Sequence, residues 1–288
     1  LVSHQAVLMF TEHLLETDRS HKTVIGYQSD LRNFERFYCE KYNGPWLVEE
    51  TTREDVEQFL RALKMEKGLG PASRNRILYG MKSFFRFMEY KGICETNIAQ
   101  DIEPVRYIKK ERHFLVEEEI QQFIVEIKHP VVQVAATLLA YTGMRISECC
   151  RLRMQDVDLS ERIVYIFNGK GKRGRHVPIA DKLLAVLQDY RDQYRPDAGD
   201  GDRFFATVAT GRLSPSHFNT ILVQTSNRLG LRHKVTAHVF RHSVASNLIR
   251  QGANVVQVQK LLGHSSLQIT SVYTHATLED LANAVNKL

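Results

Sequence analysis

The sequence is short of several things, and each scarcity removes a class of answers. Only four cysteines occur in 288 residues, at Cys39, Cys94, Cys149 and Cys150, with no Cys-x-x-Cys spacing and with one pair adjacent in the chain. That pattern argues against a disulfide framework and against a cysteine-rich zinc site, and leaves reduced, packed thiols as the expectation. No apolar run approaches the roughly 20 residues that a membrane-spanning helix requires. The opening LVSHQAVLMFTEHLLETDRS has neither a charged n-region nor a small-residue cleavage site, so a cytoplasmic location is expected. Internal repeats and low-complexity tracts are also missing.

What is present is an ordinary globular composition, 43% hydrophobic and 25% charged, in a chain long enough for two domains. The net charge of +6 is unevenly spread. Residues 1–107 hold 15 Lys/Arg against 16 Asp/Glu, whereas residues 108–288 hold 24 against 17, so the whole surplus lies in the second part. Within the first part, residues 61–91 carry eight basic side chains against Glu66 and Glu89 alone. Such stripes suit a polyanion such as nucleic acid, although a merely solvated basic face has the same composition.

Helical periodicity dominates the first hundred residues. In SHKTVIGYQSDLRNFERFY, Val24, Tyr27, Leu31, Phe34 and Tyr38 step along one helix face, with Ser20 as the predicted N-cap. From Pro71 to Lys91, Ile77, Met81, Phe84, Phe85 and Met88 form a buried stripe, while Asn75, Tyr79, Lys82 and Arg86 point away. Shorter helices near 4–17 and 52–67 complete a helical bundle over residues 1–107. The stretch ETNIAQDIEPVRYIKKERHF lacks a sustained period and reads as an extended connection, with a linker at 108–112 and a second domain over 113–288. Helices are predicted there at 116–128 and 130–142. ERIVYIFNGKGKRGRHVPI then breaks the helical pattern with a β-branched run, a Gly/Lys turn and a return strand, which is a hairpin. The fold class is therefore mainly α with a small β-hairpin or sheet.

Four stretches of the second domain carry chemistry. In TGMRISECC, Gly143 suits a left-handed helix end, and Arg145 and Glu148 share a face of the next helix, where an internal salt bridge is the plainer alternative. In NGKGKRG, Lys170 stands between two glycines at the hairpin tip, in a turn that could equally be solvated and idle. In HVFRH, His238, Arg241 and His242 lie along one side of a helix. The HExxH order is absent and an arginine beside the histidines repels a cation, so an anion of the phosphoryl type fits better than a metal. In LLGHSSLQITSVYTH, Gly263 ends one helix, Ser265 and Gln268 form a capping box for the next, and Tyr273 falls near the end of that second helix, with His264 at the junction.

Read in order, TGMRISE, the GKG hairpin, HVFRH, LLGHSS and the terminal SVYTH resemble the tyrosine recombinases, or phage-type integrases, in Xer-like form. Each motif is ordinary and the ordered set is specific. The resemblance is close over residues 113–288, and looser between the helical first part and the family's core-DNA-binding domain.

The resemblance implies a site-specific recombinase that cuts and rejoins DNA through a 3′-phosphotyrosyl intermediate, in a homo-tetramer on two duplex sites and through a Holliday junction. It implies Arg145 and Arg241 as clamps on the scissile phosphate, Tyr273 as nucleophile, His238 as its base, Lys170 as proton donor to the departing 5′-oxygen and His264 as a further donor to the phosphate. Glu148 would orient its neighbours, while His242 and His275 fall outside the set. No cofactor and no metal are implied, since two arginines bring the positive charge. Lys22, Thr23, Ser73, Arg74 and Arg76 in the first domain, and Arg173 and Arg175 on the hairpin, are candidate DNA contacts, both domains gripping the duplex as a C-shaped clamp. Leu278, Leu281, Ala282 and Val285 give the last segment a small apolar face, for its own domain or for a neighbouring protomer. With no arm-binding domain ahead of residue 1, an Xer-like or resolvase-like role in a bacterial or archaeal cell, beside the chromosome and with or without a related recombinase, is expected. Two alternatives remain at this point: a type IB topoisomerase-like enzyme, disfavoured by the histidine of HVFRH, and a catalytically silent DNA-binding factor.

Overall fold

The structure is a computed structural model that describes residues 1–108, 113–168 and 172–263. It divides into two compact units, Leu1–Lys110 and Glu111–Leu288. The architecture is mainly helical with one small antiparallel sheet.

The first unit is built from α1 (Ser3–Glu16), α2 (His21–Tyr42), α3 (Arg53–Met65) and α4 (Pro71–Tyr90). Local signals set the helix starts. Ser20 accepts the Thr23 N–H at the head of α2, Thr52 and Asp55 close a reciprocal capping box on α3, and Pro71 opens α4, where its missing N–H costs nothing. The faces predicted from periodicity are the buried ones, except that Tyr27 of the α2 face is only partly enclosed at the edge of the core. Val24, Leu31, Phe34 and Tyr38 of α2 and Ile77, Met81, Phe84, Phe85 and Met88 of α4 are all buried, with Leu78 and Phe87 widening the α4 stripe. Aromatic rings hold the centre: Phe34 meets Trp46 and Phe59 edge-on at 4.9 and 5.2 Å, and Phe10 meets Phe84 edge-on at 5.5 Å.

The extended segment after α4 is more firmly tied down than its lack of period suggested. Asn75 pairs with Val105 in both directions, its Nδ2 donating to the Val105 carbonyl and its Oδ1 accepting the Val105 N–H, each at 2.9 Å. A side-chain amide here plays the part of a neighbouring strand. Ala99 and Ile102 are buried in the same core, so the segment is packed on the first unit through Val105.

The second unit contains α5 (Glu117–Val125), α6 (Pro130–Thr142), the single turn α7 (Ile146–Cys149), β1 (Val157–Asp158), β2 (Ile163–Asn168), β3 (Lys172–Pro178), α8 (Asp181–Tyr194), α9 (Pro215–Arg228), α10 (Ala237–Arg250) and α11 (Val255–Leu262). The predicted hairpin is β2–β3, paired Val164 to Val177 and Ile166 to Arg175, with a register shift between Ile166 and Asn168. A third strand, β1, lies along β2; two residues are too few for an alternation to announce it. Leu138 and Leu139 of α6, Val164 and Val177 of the sheet, Leu183 and Leu187 of α8 and Phe240 of α10 meet in one core. Cys149 and Cys150 sit there too, and burial keeps both thiols protonated, Cys149 well above the usual range and Cys150 pushed up to about 12. The entering chain is fastened to α10, Ser243 accepting the Leu115 N–H and Asn247 donating to the Leu115 carbonyl.

Asn75→Ala removes both bonds to Val105 without emptying the core. Faster amide exchange at Val105 is expected, with a change in global unfolding free energy of no more than about 1 kcal/mol by denaturant titration.

Candidate active site

The HVFRH stretch lies in the first two turns of α10, whose start is fixed by Thr236 accepting the Val239 N–H and by Asn219 accepting the Ala237 N–H. His238 is exposed on this helix, whereas Arg241 and His242 are buried, each only 6% exposed. His242 packs edge-to-face against Phe114, in keeping with a packing role.

A buried guanidinium needs acceptors, and Arg241 finds them at two helix ends. Its Nη1 donates to the Gly143 carbonyl at 2.7 Å, where α6 stops, and its Nη2 to the Leu262 carbonyl at 2.9 Å, the last residue of α11. C-terminal carbonyls of a helix have no partner within it and carry the negative end of its dipole, so both ends favour a cation. Both helices can stop there because Gly143 and Gly263 take left-handed backbone, with φ of 59° and 69°. At Gly143 a side chain is barred twice, since a Cβ would also lie 2.4 Å from the Leu262 Cδ2.

Two more arginines reach the same helix end. Arg145 donates from Nη2 to the Gly263 carbonyl at 3.3 Å, and Arg175 donates from Nε to the Leu261 carbonyl at 2.9 Å. Three successive carbonyls, of Leu261, Leu262 and Gly263, thus receive Arg175, Arg241 and Arg145 in turn. Residues far apart in the sequence are brought within one helical turn of each other.

Glu148 locks this arrangement. From the third position of α7 its Oε2 accepts the Arg145 backbone N–H at 2.8 Å, while Oε1 accepts the Arg145 Nη1 at 2.9 Å. The Arg175 fork spans both oxygens, at 3.0 and 2.8 Å. Burial alone would raise the Glu148 pKa; the Arg175 fork and the Arg145 N–H reverse that and hold it at about 2. The Glu148 side chain is 9% exposed and that of Arg175 13%, against 44% for Arg145. Of these groups Arg145 and His238 face outward.

The remaining candidates from the sequence fall into three groups. Lys170, His264, His275, Tyr273, the Ser265–Gln268 capping box and the apolar face of Leu278, Leu281, Ala282 and Val285 lie outside the described residues, as does the side chain of Arg173. In the first unit, Lys22 and Thr23 occupy the first turn of α2, where the Thr23 hydroxyl meets that of Ser20 at 2.8 Å, and Ser73 and Arg74 occupy the first turn of α4. Arg76 is half exposed but spends its fork on Asp30, at 2.6 and 2.7 Å. Arg175, expected on the DNA surface, is turned inward onto Glu148 and Leu261, because the carboxylate and carbonyl beside it satisfy the guanidinium better than solvent does.

One set of residues was not anticipated. A cleft of about 720 Å³ runs from Arg145 past Arg151, Arg153, Tyr165, Phe167 and Arg203. Arg203 donates to the Arg151 carbonyl and Arg153 to the Gly201 carbonyl, so the loop around 200 carries its own cation to the same edge. No sequence spacing joins Arg203 to Arg151; the antiparallel pairing of Arg153 with Arg203 and the backbone bonds on either side of it bring them together.

Comparison with known proteins identifies the family. The phage integrase family model matches residues 113–279, and the model of the phage integrase N-terminal SAM-like domain matches residues 7–92. A tyrosine recombinase of Thermosipho africanus is 32% identical over 292 residues, covering 99% of both chains. The tyrosine recombinase XerC of Oceanobacillus iheyensis is 32% identical, covering 96% of this chain and 93% of the relative. Among solved structures, the Tn1549 transposon integrase in complex with a circular intermediate DNA aligns over 98% of this chain and 99% of that one, with a TM-score of 0.80 at 19% identity, a likeness of fold.

Glu148→Gln leaves the Arg175 guanidinium enclosed with a neutral partner, and a loss of about 1.5–3 kcal/mol in unfolding free energy is expected. Since the folded pKa lies below the ordinary 4.5, the stabilisation by Glu148 is complete above that value and disappears as the pH falls towards 2. Thermal melts from pH 6 down to pH 2 should show a shallower acid decline for the glutamine variant.

Proposed function

This chain belongs to the phage integrase family, and from that premise we propose that it is a site-specific recombinase that breaks and rejoins duplex DNA through a covalent 3′-phosphotyrosyl intermediate. The observation that supports this most directly is the meeting of Arg145 and Arg241 on adjacent carbonyls at the end of α11, one residue before His264. Two guanidinium forks held together match the non-bridging oxygens of one phosphate and stabilise the charge that grows as the phosphorus becomes five-coordinate.

In the reaction, the phenol of Tyr273 attacks the scissile phosphorus. Its proton goes to His238, because a tyrosine of ordinary pKa near 10 needs a base at neutral pH. The new O–P bond forms as the bond to the 5′-oxygen breaks, and Lys170 gives that oxygen its proton. His264 donates a hydrogen bond to the phosphate, and Glu148 holds Arg145 in place. A 5′-hydroxyl from a second duplex then reverses each step. One phosphoester is exchanged for another, so no nucleotide is consumed. Four protomers on two sites exchange one pair of strands at a time through a Holliday junction.

Lys22, Thr23, Ser73, Arg74 and Arg76 in the first unit, and Arg173 on β3, are the proposed backbone contacts. The cleft bearing Arg151, Arg153 and Arg203 extends the positive surface beyond Arg145 and suits phosphates next to the cut. The protein is expected to work beside chromosomal DNA in the cytoplasm.

Covalent capture tests the proposal whatever the target sequence is. The chain is incubated with a library of nicked duplexes, from which the short cleaved fragment diffuses away, and DNA that resists denaturation from the protein is sequenced. Wild type should yield one recurrent sequence and Tyr273→Phe none. Arg145→Ala and Arg241→Ala should each cut the recovered duplex about 10²–10³-fold more slowly. Absence of any covalent product would sink the proposal. Relaxation of supercoils without two-site products would replace it with a topoisomerase.

A further inference from the structure

Arg175 is the arginine that the proposed reaction leaves without a task. Its place in the strand suggests a DNA contact, but its surroundings do not. The side chain is 13% exposed, and its Nε, Nη1 and Nη2 all donate to protein acceptors: the Leu261 carbonyl and both oxygens of Glu148. Two glycines make this inward position sterically possible. A Cβ at Gly263 would stand 2.8 Å from the Arg175 Nη1, and one at Gly174 would stand 2.7 Å from the Ile166 carbonyl, disturbing β3 immediately before Arg175.

Following the bonds outward shows what Arg175 controls. Through Glu148 it reaches Arg145, which shares that carboxylate. Through Leu261 it reaches the last turn of α11, whose next carbonyl holds Arg241. Both guanidinium groups that the proposed reaction needs are therefore located by groups that Arg175 fixes. The sheet and the end of α11 are linked here, beside the point where the chain enters His264.

We propose that Arg175 is a positioning residue: it fastens Glu148 and the carbonyl end of α11 to β3, so that Arg145 and Arg241 stand at the spacing of one phosphate before DNA arrives. The inference rests on the recombinase reading of the same site. Displacement of a charge-stabilising group by about 1 Å costs on the order of 100-fold in rate, and that is the scale expected here.

Arg175→Lys is the informative change. It keeps the positive charge, so any simple attraction to phosphate survives, but one ammonium group cannot span both Glu148 oxygens and reach Leu261 as well. The probe is the nicked duplex recovered by covalent capture. Binding is measured by titration and cleavage under single turnover at saturating DNA. Arg175→Lys should bind within about twofold of wild type and cleave on the order of 100-fold more slowly. Arg175→Gln should be at least as slow, with the acid limb of its cleavage rate moved to higher pH as Glu148 loses its fork. Cleavage by Arg175→Lys at the wild-type rate would overturn the inference, as would an affinity loss in Arg175→Gln with unchanged cleavage at saturation, the mark of a DNA contact. If Arg175→Gln fails to fold, the lysine variant alone decides. A wild type that forms no covalent product removes the recombinase reading and this one together; a wild type that cleaves alongside a lysine variant that cleaves equally well removes only this one.

Discussion

The second unit depends on how three cations are held at the carbonyl end of one eight-residue helix. The carbonyls of Leu261, Leu262 and Gly263 each accept from a different arginine, and those arginines come from β3, α10 and the turn that starts α7. None of these contacts is local in sequence, and each is a hydrogen bond from a charged donor, the stronger kind. The core beneath supplies the free energy of folding. Gly263 ends α11, and the arginines tie that end to β3, α10 and the turn before α7.

Neutral carbonyls are a moderate choice of partner for Arg241. A carboxylate would hold it more tightly and neutralise it, leaving little field for an incoming anion. Helix ends stabilise the buried cation through partial charges, which do not neutralise it. The one carboxylate in the cluster, Glu148, sits instead between Arg145 and Arg175, where one negative charge faces two positive ones. The cluster of Arg145, Arg175, Arg241 and Glu148 therefore carries a surplus of positive charge in the folded state. On the proposed function, that surplus is what a phosphate diester meets.

Much of the architecture was legible in the sequence because it is carried by periodicity and caps. The stripes of α2 and α4, Ser20 at the head of α2, and the left-handed stops at Gly143 and Gly263 are short-range patterns that tertiary structure left unchanged. The hairpin was legible for the same reason. Strand β1, the Asn75–Val105 pairing and the Arg151–Arg153–Arg203 edge were not, because each depends on residues that meet only after folding. Arg145, Glu148 and Arg241 could be picked out by motif, and the structure brings those three together. Arg175 reads in the sequence as a candidate DNA contact on the hairpin, and its inward direction could not be read there. A strand position fixes which face a side chain leaves from, not whether a buried carboxylate from another element is waiting there.

The cysteines offer a practical opening of a different kind. Cys94, Cys149 and Cys150 are buried, with thiols pushed up by the low-dielectric interior, whereas Cys39 is only partly enclosed. Cys39, on α2 of the first unit, is the one cysteine that keeps partial exposure, so a maleimide dye added to the native chain at neutral pH should react there first. The wild-type protein thus comes with a ready attachment point for a fluorophore, far in sequence from the arginine cluster, and needs no engineered cysteine to be followed one molecule at a time.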